Sequence, residues 1–141
     1  MEIKIDKRYR IDNFDDHIAI DTQDNEENCV EIFCFKTPKH DNLIHNTFLN
    51  RAKDFSRLRH DRMTPLLDYG YDSQNQCYYL VYEYPFGKSL KKILNHPRRS
   101  IEWIVQLILI VLEVLYYLES KNYIFGTILL DDLILDSGYN L

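Results

Sequence analysis

Two groups of residues in this chain have side chains that could bind phosphate or a metal ion. Lys36 ends an apolar, strand-like run, and its positive charge could pair with a phosphate group. Asp131 and Asp132 are adjacent carboxylates, and carboxylate oxygens are ligands that Mg²⁺ accepts. Sequence spacing places no further carboxylate beside them, so a solvated turn is the simpler interpretation. We predict no metal site, unless Asp132 ligates magnesium that arrives with a nucleotide.

The cysteines indicate a reducing environment. The three cysteines, Cys29, Cys34 and Cys77, have no C-x-x-C spacing, which favours neither a disulfide framework nor a zinc site. The first residues also lack the apolar core of a signal peptide. We therefore predict a cytoplasmic protein with free thiols.

The composition is typical of a globular protein. Of its 141 residues, 45% are hydrophobic and 28% are charged, and a chain of this length can bury a single core. The net charge of -5 gives no general attraction to nucleic acid or to anionic membranes. We therefore predict no nucleic-acid or membrane partner.

The first half of the chain predicts strands followed by a helix. Residues before position 37 alternate polar and apolar side chains, or cluster β-branched and aromatic ones, as strands do. A helical period follows, with Phe48 and Ala52 on one face, and Asn46 or Thr47 can cap that helix. The predicted strands are 2–5, 9–11, 17–20, 29–36, 66–71 and 77–84, and a short helix is predicted over 89–94.

Residues 101–118 predict a long helix that is apolar in nearly every direction around its axis. The run 104–118 is shorter than a membrane span and contains Gln106 and Glu113, so no spanning segment is predicted. A helix that is hydrophobic all round is normally buried all round, but the upstream elements are too few to cover it. We expect its uncovered flank to be an interface. The predicted interface residues are Trp103, Ile104, Leu107, Ile108, Val111 and Leu115.

The order of these elements resembles the N-terminal lobe of a eukaryotic-type protein kinase and the start of its C-terminal lobe. F-L-N-R-A-K-D-F-S-R-L-R-H at 48–60 is similar to the αC helix, and L-V-Y-E-Y-P-F-G-K-S-L at 80–90 is similar to strand five, hinge and αD. Residues 100–121 resemble αE, and 123–136 resemble the catalytic loop with the strand after it. The resemblance covers residues 9–141, and the order of elements carries it more than any one motif.

The resemblance implies an α+β fold with three parts. A five-stranded antiparallel sheet with αC would occupy residues 1–84, hinge and αD 85–99, and αE with a degenerate catalytic loop 100–141. The chain ends before a D-F-G segment, so the resemblance implies a truncated domain. Whether the chain is a natural full-length protein or a fragment stays open.

The resemblance also places the nucleotide-binding positions of the sheet. In this family a strand-three lysine holds the nucleotide phosphates and pairs with an αC glutamate. Two registers are open: Lys36 in F-C-F-K, which we favour, or Phe33 in V-E-I-F, which cannot hold a phosphate. The glutamate position matches Arg51, which would repel a lysine. The loop at 12–17 contains no glycine to let phosphate approach the backbone.

The hinge and the catalytic loop complete this comparison. Tyr82 matches the position that guards the back of the nucleotide pocket, and Glu83 to Pro85 would supply hinge backbone groups. In H-R-D-L-K-P-x-N the Asp accepts the substrate proton, the Lys steadies the phosphoryl group and the Asn binds magnesium. The matching residues here are Thr127, Leu129 and Asp132, so none of the three is retained.

These substitutions predict a catalytically inactive pseudokinase without a resident cofactor. Its role would be that of a regulatory, protein-binding module, with a protein partner or a second copy docked on αE. The alternative is a divergent or split Ser/Thr kinase that still binds ATP and magnesium through Lys36 and Asp132.

Overall fold

The computed structural model of the protein describes residues 3–12, 17–23, 28–37, 41–94 and 99–136. The chain divides into two compact units, which we call unit 1 and unit 2. Unit 1 comprises Met1–Arg59 and Thr64–Tyr84, and unit 2 comprises His60–Met63 and Pro85–Leu141.

Unit 1 is built on one antiparallel sheet of six strands in the order β1-β2-β3-β4-β6-β5. The prediction of five strands is corrected here, because the first segment pairs with the second and adds an edge strand. The strands are β1 (Ile3–Ile5), β2 (Tyr9–Ile11), β3 (Ile18–Asp21), β4 (Asn28–Lys36), β5 (Leu66–Asp72) and β6 (Cys77–Glu83).

A tight turn joins β1 to β2. Asp6 and Lys7 at its centre both have positive φ, at 50° and 58°, and the Arg8 amide donates to the Ile5 carbonyl at 3.1 Å. This geometry matches the type I′ turn, whose twist suits a two-strand hairpin. Neither central residue is glycine, so the turn carries a small backbone strain.

The sheet buries its core on one face. Cross-strand partners share a face, and Ile32 opposite Val81 and Ala19 opposite Val30 are all fully or almost fully buried. The remaining buried members of this cluster are Ile5, Tyr9, Ile11, Cys77 and Tyr79. Members come from β1, β2, β3, β4 and β6, so unit 1 encloses its own core.

Polar contacts tie the β1–β2 hairpin to the other strands. Arg8 makes a two-pronged ion pair with Asp21 of β3, with N–O distances of 2.8 and 2.6 Å. The Tyr9 hydroxyl donates to Asp68 of β5 at 2.7 Å. The hydrogen bonds from Arg8 lower the pKa of Asp21. The contact between Tyr9 and Asp68 joins β2, near one end of the sheet order, to β5 at the other end, so the sheet curls back on itself.

A second set of contacts reaches the turn between β5 and β6. The Asp6 amide donates to Asp72 at 2.8 Å, the Tyr79 hydroxyl donates to Asp6 at 3.0 Å, and the Asn75 side chain donates to the Lys4 carbonyl at 2.8 Å. Burial alone would raise the pKa of Asp72, but hydrogen bonds from Asn75 and neighbouring amides lower it. The buried carboxylate is therefore held ionised by the groups around it.

The helix α1 (Asn42–Phe55) lies between β4 and β5 in the chain. It begins earlier than the predicted caps Asn46 and Thr47, because Asp41 caps it instead. The Asp41 carboxylate accepts from the amides of Leu43 at 2.7 Å and Ile44 at 3.3 Å. A carboxylate at this position satisfies amides that have no partner within the helix.

Unit 2 contains β7 (Lys88–Ser89), α2 (Leu90–Ile93), α3 (Ile101–Ser120) and β8 (Ile134–Leu135). β7 pairs with β8, and Leu90, Ile93 and Leu135 form a small buried cluster. Gly87 precedes β7 at a crowded point, because a Cβ atom there would collide with the carbonyl oxygen of Leu135. Unit 2 therefore depends on close backbone packing around a core of few residues.

Candidate functional site

The helix α1 packs against one face of the sheet. The ring of Phe48 in α1 lies 4.6 Å from the ring of Tyr78 in β6. Tyr78 is the cross-strand partner of Phe35 in β4, so these two side chains share a face. Phe33 is two residues from Phe35 and lies on that face as well.

Phe33 is surrounded by aromatic groups. Its ring stacks on His17 with 4.8 Å between centroids, and it meets Tyr82 edge to face at 5.9 Å. Tyr82 is half-buried, and burial raises the pKa of its hydroxyl. The position next to the predicted guard residue is therefore filled by an aromatic ring, without a cationic group.

Lys36 lies on the other face of the sheet. Its cross-strand partner is Cys77, which is fully buried in the unit 1 core. The positive charge of Lys36 also acts on the neighbouring Cys34 thiol, whose cross-strand partner is the core residue Tyr79. The register that the sequence favoured thus places Lys36 on the sheet face away from α1. The alternative register places Phe33 on the face against which α1 packs.

Arg51 is exposed on α1, so a cation stands where the resemblance implies a glutamate. The Glu83 amide donates to the Pro65 carbonyl at 3.3 Å, and Pro85, which belongs to unit 2, has no amide hydrogen to offer. Within the glycine-free loop at 12–17, residues 13–16 lie outside the described residues.

The segment that resembles a catalytic loop forms a local turn in unit 2. The Asp132 carboxylate accepts the Leu129 amide at 2.7 Å, and the Asp132 amide donates to the Leu129 carbonyl at 3.0 Å. The side chains of Thr127 and Leu129 are exposed. Asp132 therefore stabilises the turn on which it lies.

The neighbouring Asp131 also has a structural role. Its carboxylate accepts the Ser89 hydroxyl at 3.1 Å and the Lys91 ammonium at 2.9 Å, which links the turn to β7 and α2. The hydrogen bond from Lys91 lowers the pKa of Asp131. Across the described ranges, no cluster of three or more His, Cys, Asp or Glu side chains could hold a metal ion.

Most of the exposed large apolar side chains in the described part of unit 2 lie on α3. At about 100° of rotation per residue, Val105, Ile108, Leu112 and Tyr116 lie on one side of the helix. Their exposed fractions are 48%, 52%, 53% and 74%. We call this side the apolar face of α3, and it also includes Ile101 and Leu109. Glu102, Gln106 and Glu113 lie together along one border of it.

The predicted interface residues divide between two sides of α3. Ile104 and Ile108 are exposed, at 43% and 52%. Trp103 and Leu107 pack against the cluster of Leu90, Ile93 and Leu135 and are half-buried, as are Val111 and Leu115. Because the helix is apolar all round, its sequence does not indicate which side is exposed. The predicted interface therefore left out five exposed residues: Ile101, Val105, Leu109, Leu112 and Tyr116.

The length of α3 bears on the membrane prediction. The helix has 20 residues, more than the run 104–118 considered from the sequence, and by length and composition it could cross a membrane. The core helices of soluble proteins that pass the same test are mostly buried, whereas 6% of an 18-residue window of α3 is buried. The prediction of no membrane segment stays a prediction. The cytoplasmic location likewise stays a prediction.

Comparison with known proteins gives one family match. A family model described as protein tyrosine and serine/threonine kinase matches residues 16–140. That range extends from the β2–β3 loop to beyond β8 and includes elements of both units. No curated protein matches the chain.

Proposed function

The chain belongs to the protein tyrosine and serine/threonine kinase family, and within it we propose a catalytically inactive, kinase-like domain that acts as a protein-binding or regulatory module. Its binding surface in this proposal is the apolar face of α3, which takes a protein partner or a second copy of the chain. The observation that best supports the proposed inactivity is the turn at residues 129–132. The motif carboxylate, Asp132, is hydrogen-bonded to the Leu129 amide.

The catalytic-loop residues lack the chemistry of phosphoryl transfer. Thr127 has no basicity near neutral pH with which to accept a substrate proton, and Leu129 has no charge to steady a phosphoryl group. Asp132 already accepts a hydrogen bond from the turn, and no motif residue beside it completes a magnesium site. These residues do not fit a magnesium nucleotide held for transfer.

The sheet supports the same proposal. A lysine that binds the nucleotide phosphates and pairs with a glutamate of αC must lie on the face of the sheet that the helix covers. Phe33 occupies that face, and Lys36 lies on the opposite one. We therefore adopt the Phe33 register, in which an aromatic ring replaces the lysine.

Nucleotide binding tests the inactive half of the proposal. We expect ATP with magnesium to leave the melting temperature of the protein unchanged, and Lys36→Ala to have no effect on that result. Lys53→Ala is the matched control, since it removes an exposed cation of α1 to which the resemblance gives no role. Magnesium-dependent stabilisation that Lys36→Ala weakens and Lys53→Ala does not would establish the alternative, a divergent or split kinase that binds ATP.

The exposed side chains of α3 support the binding half. Six apolar residues on one side of a helix about 30 Å long form a continuous surface, and exposed apolar surfaces of this kind mark interaction sites. Ile108→Glu, at the centre of the face, should weaken association by about 2 kcal/mol, or roughly thirtyfold, because it buries an unpaired carboxylate.

Gln106→Glu is the control for that variant. It introduces the same carboxylate at an exposed position on the polar border of the same helix. We expect it to leave the association constant, measured by sedimentation velocity, nearly unchanged. Equal effects of the two variants would contradict the assignment of the interface to the apolar face.

A further inference from the structure

Glu31 lies on β4, on the face of the unit 1 sheet that carries Phe33. Its cross-strand partners are Ile18 in β3 and Tyr82 in β6, and such partners have Cβ atoms roughly 4.5–5.5 Å apart on the same face. Phe33 is two residues further along β4, so its side chain lies on that face as well. The Glu31 carboxylate is therefore flanked by an aliphatic side chain and two aromatic rings, all within unit 1.

The Glu31 carboxylate lacks the partners that another carboxylate of this sheet has. Asp72 accepts hydrogen bonds from the side chain of Asn75 and from backbone amides. Among the residues that the structure describes, none donates a hydrogen bond to Glu31 or forms an ion pair with it. Glu31 is half-buried, and burial raises its pKa, which the charge of His17 only partly offsets. The ionised group has lost water without gaining a donor, and a cation would supply the missing interaction.

The aromatic rings beside Glu31 add to the attraction for a cation. The ring centroids of Phe33 and Tyr82 lie 5.9 Å apart and the ring planes meet at 83°, so the two rings form adjacent surfaces at nearly right angles. The face of an aromatic ring attracts a cation within ~6 Å of its centroid, and aromatic cages bind quaternary ammonium groups in this way. Burial raises the pKa of the Tyr82 hydroxyl, and the charge of Glu31 adds to this. The carboxylate and the rings favour the same kind of ligand.

The surface around Glu31 is apolar and open to solvent. Ile18, beside Glu31, is 52% exposed, and Phe35, two residues beyond Phe33 on the same face, is 49% exposed. Neighbouring strands lie ~4.8 Å apart and rise ~3.3 Å per residue, so this surface measures roughly 10 Å across β3, β4 and β6 and roughly 13 Å along β4. These dimensions match a small molecule whose apolar part covers Ile18 or Phe35.

We propose that Glu31, Phe33 and Tyr82 form a binding site for a small organic cation, an ammonium group attached to an apolar body. The ammonium group pairs with the Glu31 carboxylate and lies against the two rings, while the apolar body covers exposed side chains such as Ile18. The same carboxylate repels the phosphates of a nucleotide. The site is separate from the apolar face of α3, so the proposal does not depend on what binds there.

Titration of the isotope-labelled full chain, followed by the shifts of its amide NMR signals, tests the proposal. The probe is benzyltrimethylammonium, with benzyl alcohol as a neutral analogue and phenylacetate as an anionic one. For the cation we expect saturable shifts around Ile18, Glu31 and Tyr82, with binding about fivefold weaker for benzyl alcohol and none for phenylacetate. Equal binding of the cation and phenylacetate would overturn the proposal, since the surface would then select only for apolar character.

Glu31→Gln removes the charge and keeps the shape of the side chain. It should weaken the binding of benzyltrimethylammonium by about fivefold and leave that of benzyl alcohol unchanged. Because the Glu31 carboxylate has no donor to lose, the variant should melt no lower than the wild-type protein, which separates lost binding from lost folding. Asp54→Asn is the matched control, since it removes an exposed carboxylate of α1. If Glu31→Gln binds the cation as tightly as Asp54→Asn does, the site is wrongly assigned.

A second variant tests the rings, and a second probe tests the size of the ligand. Phe33→Leu keeps an apolar side chain but removes one ring, so it should weaken the binding of benzyltrimethylammonium more than that of benzyl alcohol. A peptide with a central trimethyllysine presents the same cation on a polypeptide, and we expect it to bind less tightly than benzyltrimethylammonium. Tighter binding of the peptide would overturn the assignment to a small molecule.

Discussion

Unit 1 and unit 2 differ in how far they bury their apolar side chains. Unit 1 encloses residues such as Ile32 and Val81 within a curled sheet, whose ends are joined by hydrogen bonds from Arg8 and Tyr9 to Asp68. Unit 2 buries a small cluster around Ile93 and leaves one whole side of its longest helix exposed. Unit 1 therefore supplies its own stability, whereas unit 2 presents a surface that a partner can cover.

The comparison predicts different costs for the same substitution in the two units. Ile32→Ala should lower the free energy of unfolding by about 2–4 kcal/mol, because Ile32 is fully buried and a cavity remains. Ile108→Ala in α3 should change it by less than about 0.5 kcal/mol, because Ile108 is half-exposed. Urea titration of both variants measures the difference. Similar losses would mean that α3 is packed as tightly as the sheet.

Unit 2 also has a point at which close packing matters. Gly87→Ala should cost about 1–3 kcal/mol, because its new methyl group collides with the backbone at Leu135. Gly126→Ala is the control, since a Cβ there meets nothing within 4 Å. Thermal unfolding followed by circular dichroism compares the two. If Gly87→Ala does not change the thermal stability, the β7–β8 pair is loosely packed, and the difference in packing between unit 2 and unit 1 is larger than described.

The ion pair of Arg8 and Asp21 makes the stability of unit 1 depend on pH. The pKa of Asp21 is lower in the folded protein than in the unfolded chain, so its contribution is present above the unfolded value of about 3.9. That contribution is lost as the pH falls through the folded pKa. Asp21→Asn should cost about 1–2 kcal/mol at pH 7 and flatten the acid limb of the stability curve.

Asp54→Asn controls for the loss of a carboxylate. Asp54 meets Arg57 at 3.6 Å on the surface of α1, where both side chains are mostly exposed. Such pairs contribute little, and we expect a change below about 0.5 kcal/mol at any pH. If the two variants lose the same stability between pH 7 and pH 3, the Arg8–Asp21 pair does not stabilise the sheet.

The smallest expected effect is a gain in unit 1. Lys7→Gly should stabilise the protein by a few tenths to about 1 kcal/mol, because glycine accepts the positive φ of the β1–β2 turn without strain. Lys4→Gly, three residues earlier in strand β1, should destabilise it instead, since glycine weakens strand interiors. The melting temperature of each variant is compared with that of the wild-type protein, and we expect it to rise for Lys7→Gly and to fall for Lys4→Gly.

Elements with a clear period could be predicted from the sequence. The strands of unit 1 alternate, and the helix predicted over residues 101–118 is present as Ile101–Ser120. The start of α1 was placed too late, because Asp41 caps it from a stretch with little apolar periodicity. The sixth strand belongs to the sheet because Ile3–Ile5 pairs with Tyr9–Ile11, which the kinase-like comparison left out.

The candidate site was harder to predict because it depends on which face of the sheet, and which side of α3, each side chain lies on. Sequence spacing allowed both Lys36 and Phe33, and the strand pairing separates them by placing Cys77 opposite Lys36 and Tyr78 opposite Phe35. The apolar face of α3 required knowledge of what covers its other side. Leu90, Ile93 and Leu135 do so, and they are distant from α3 in the sequence or separated from it by loops.

Light scattering of the purified protein at micromolar concentration tests the central claim most directly. If the apolar face of α3 is an interaction surface, the mass in solution should exceed the 17.0 kDa of one chain, and Ile108→Glu should reduce it. A stable, monodisperse species of 17.0 kDa for the wild-type protein would contradict the account.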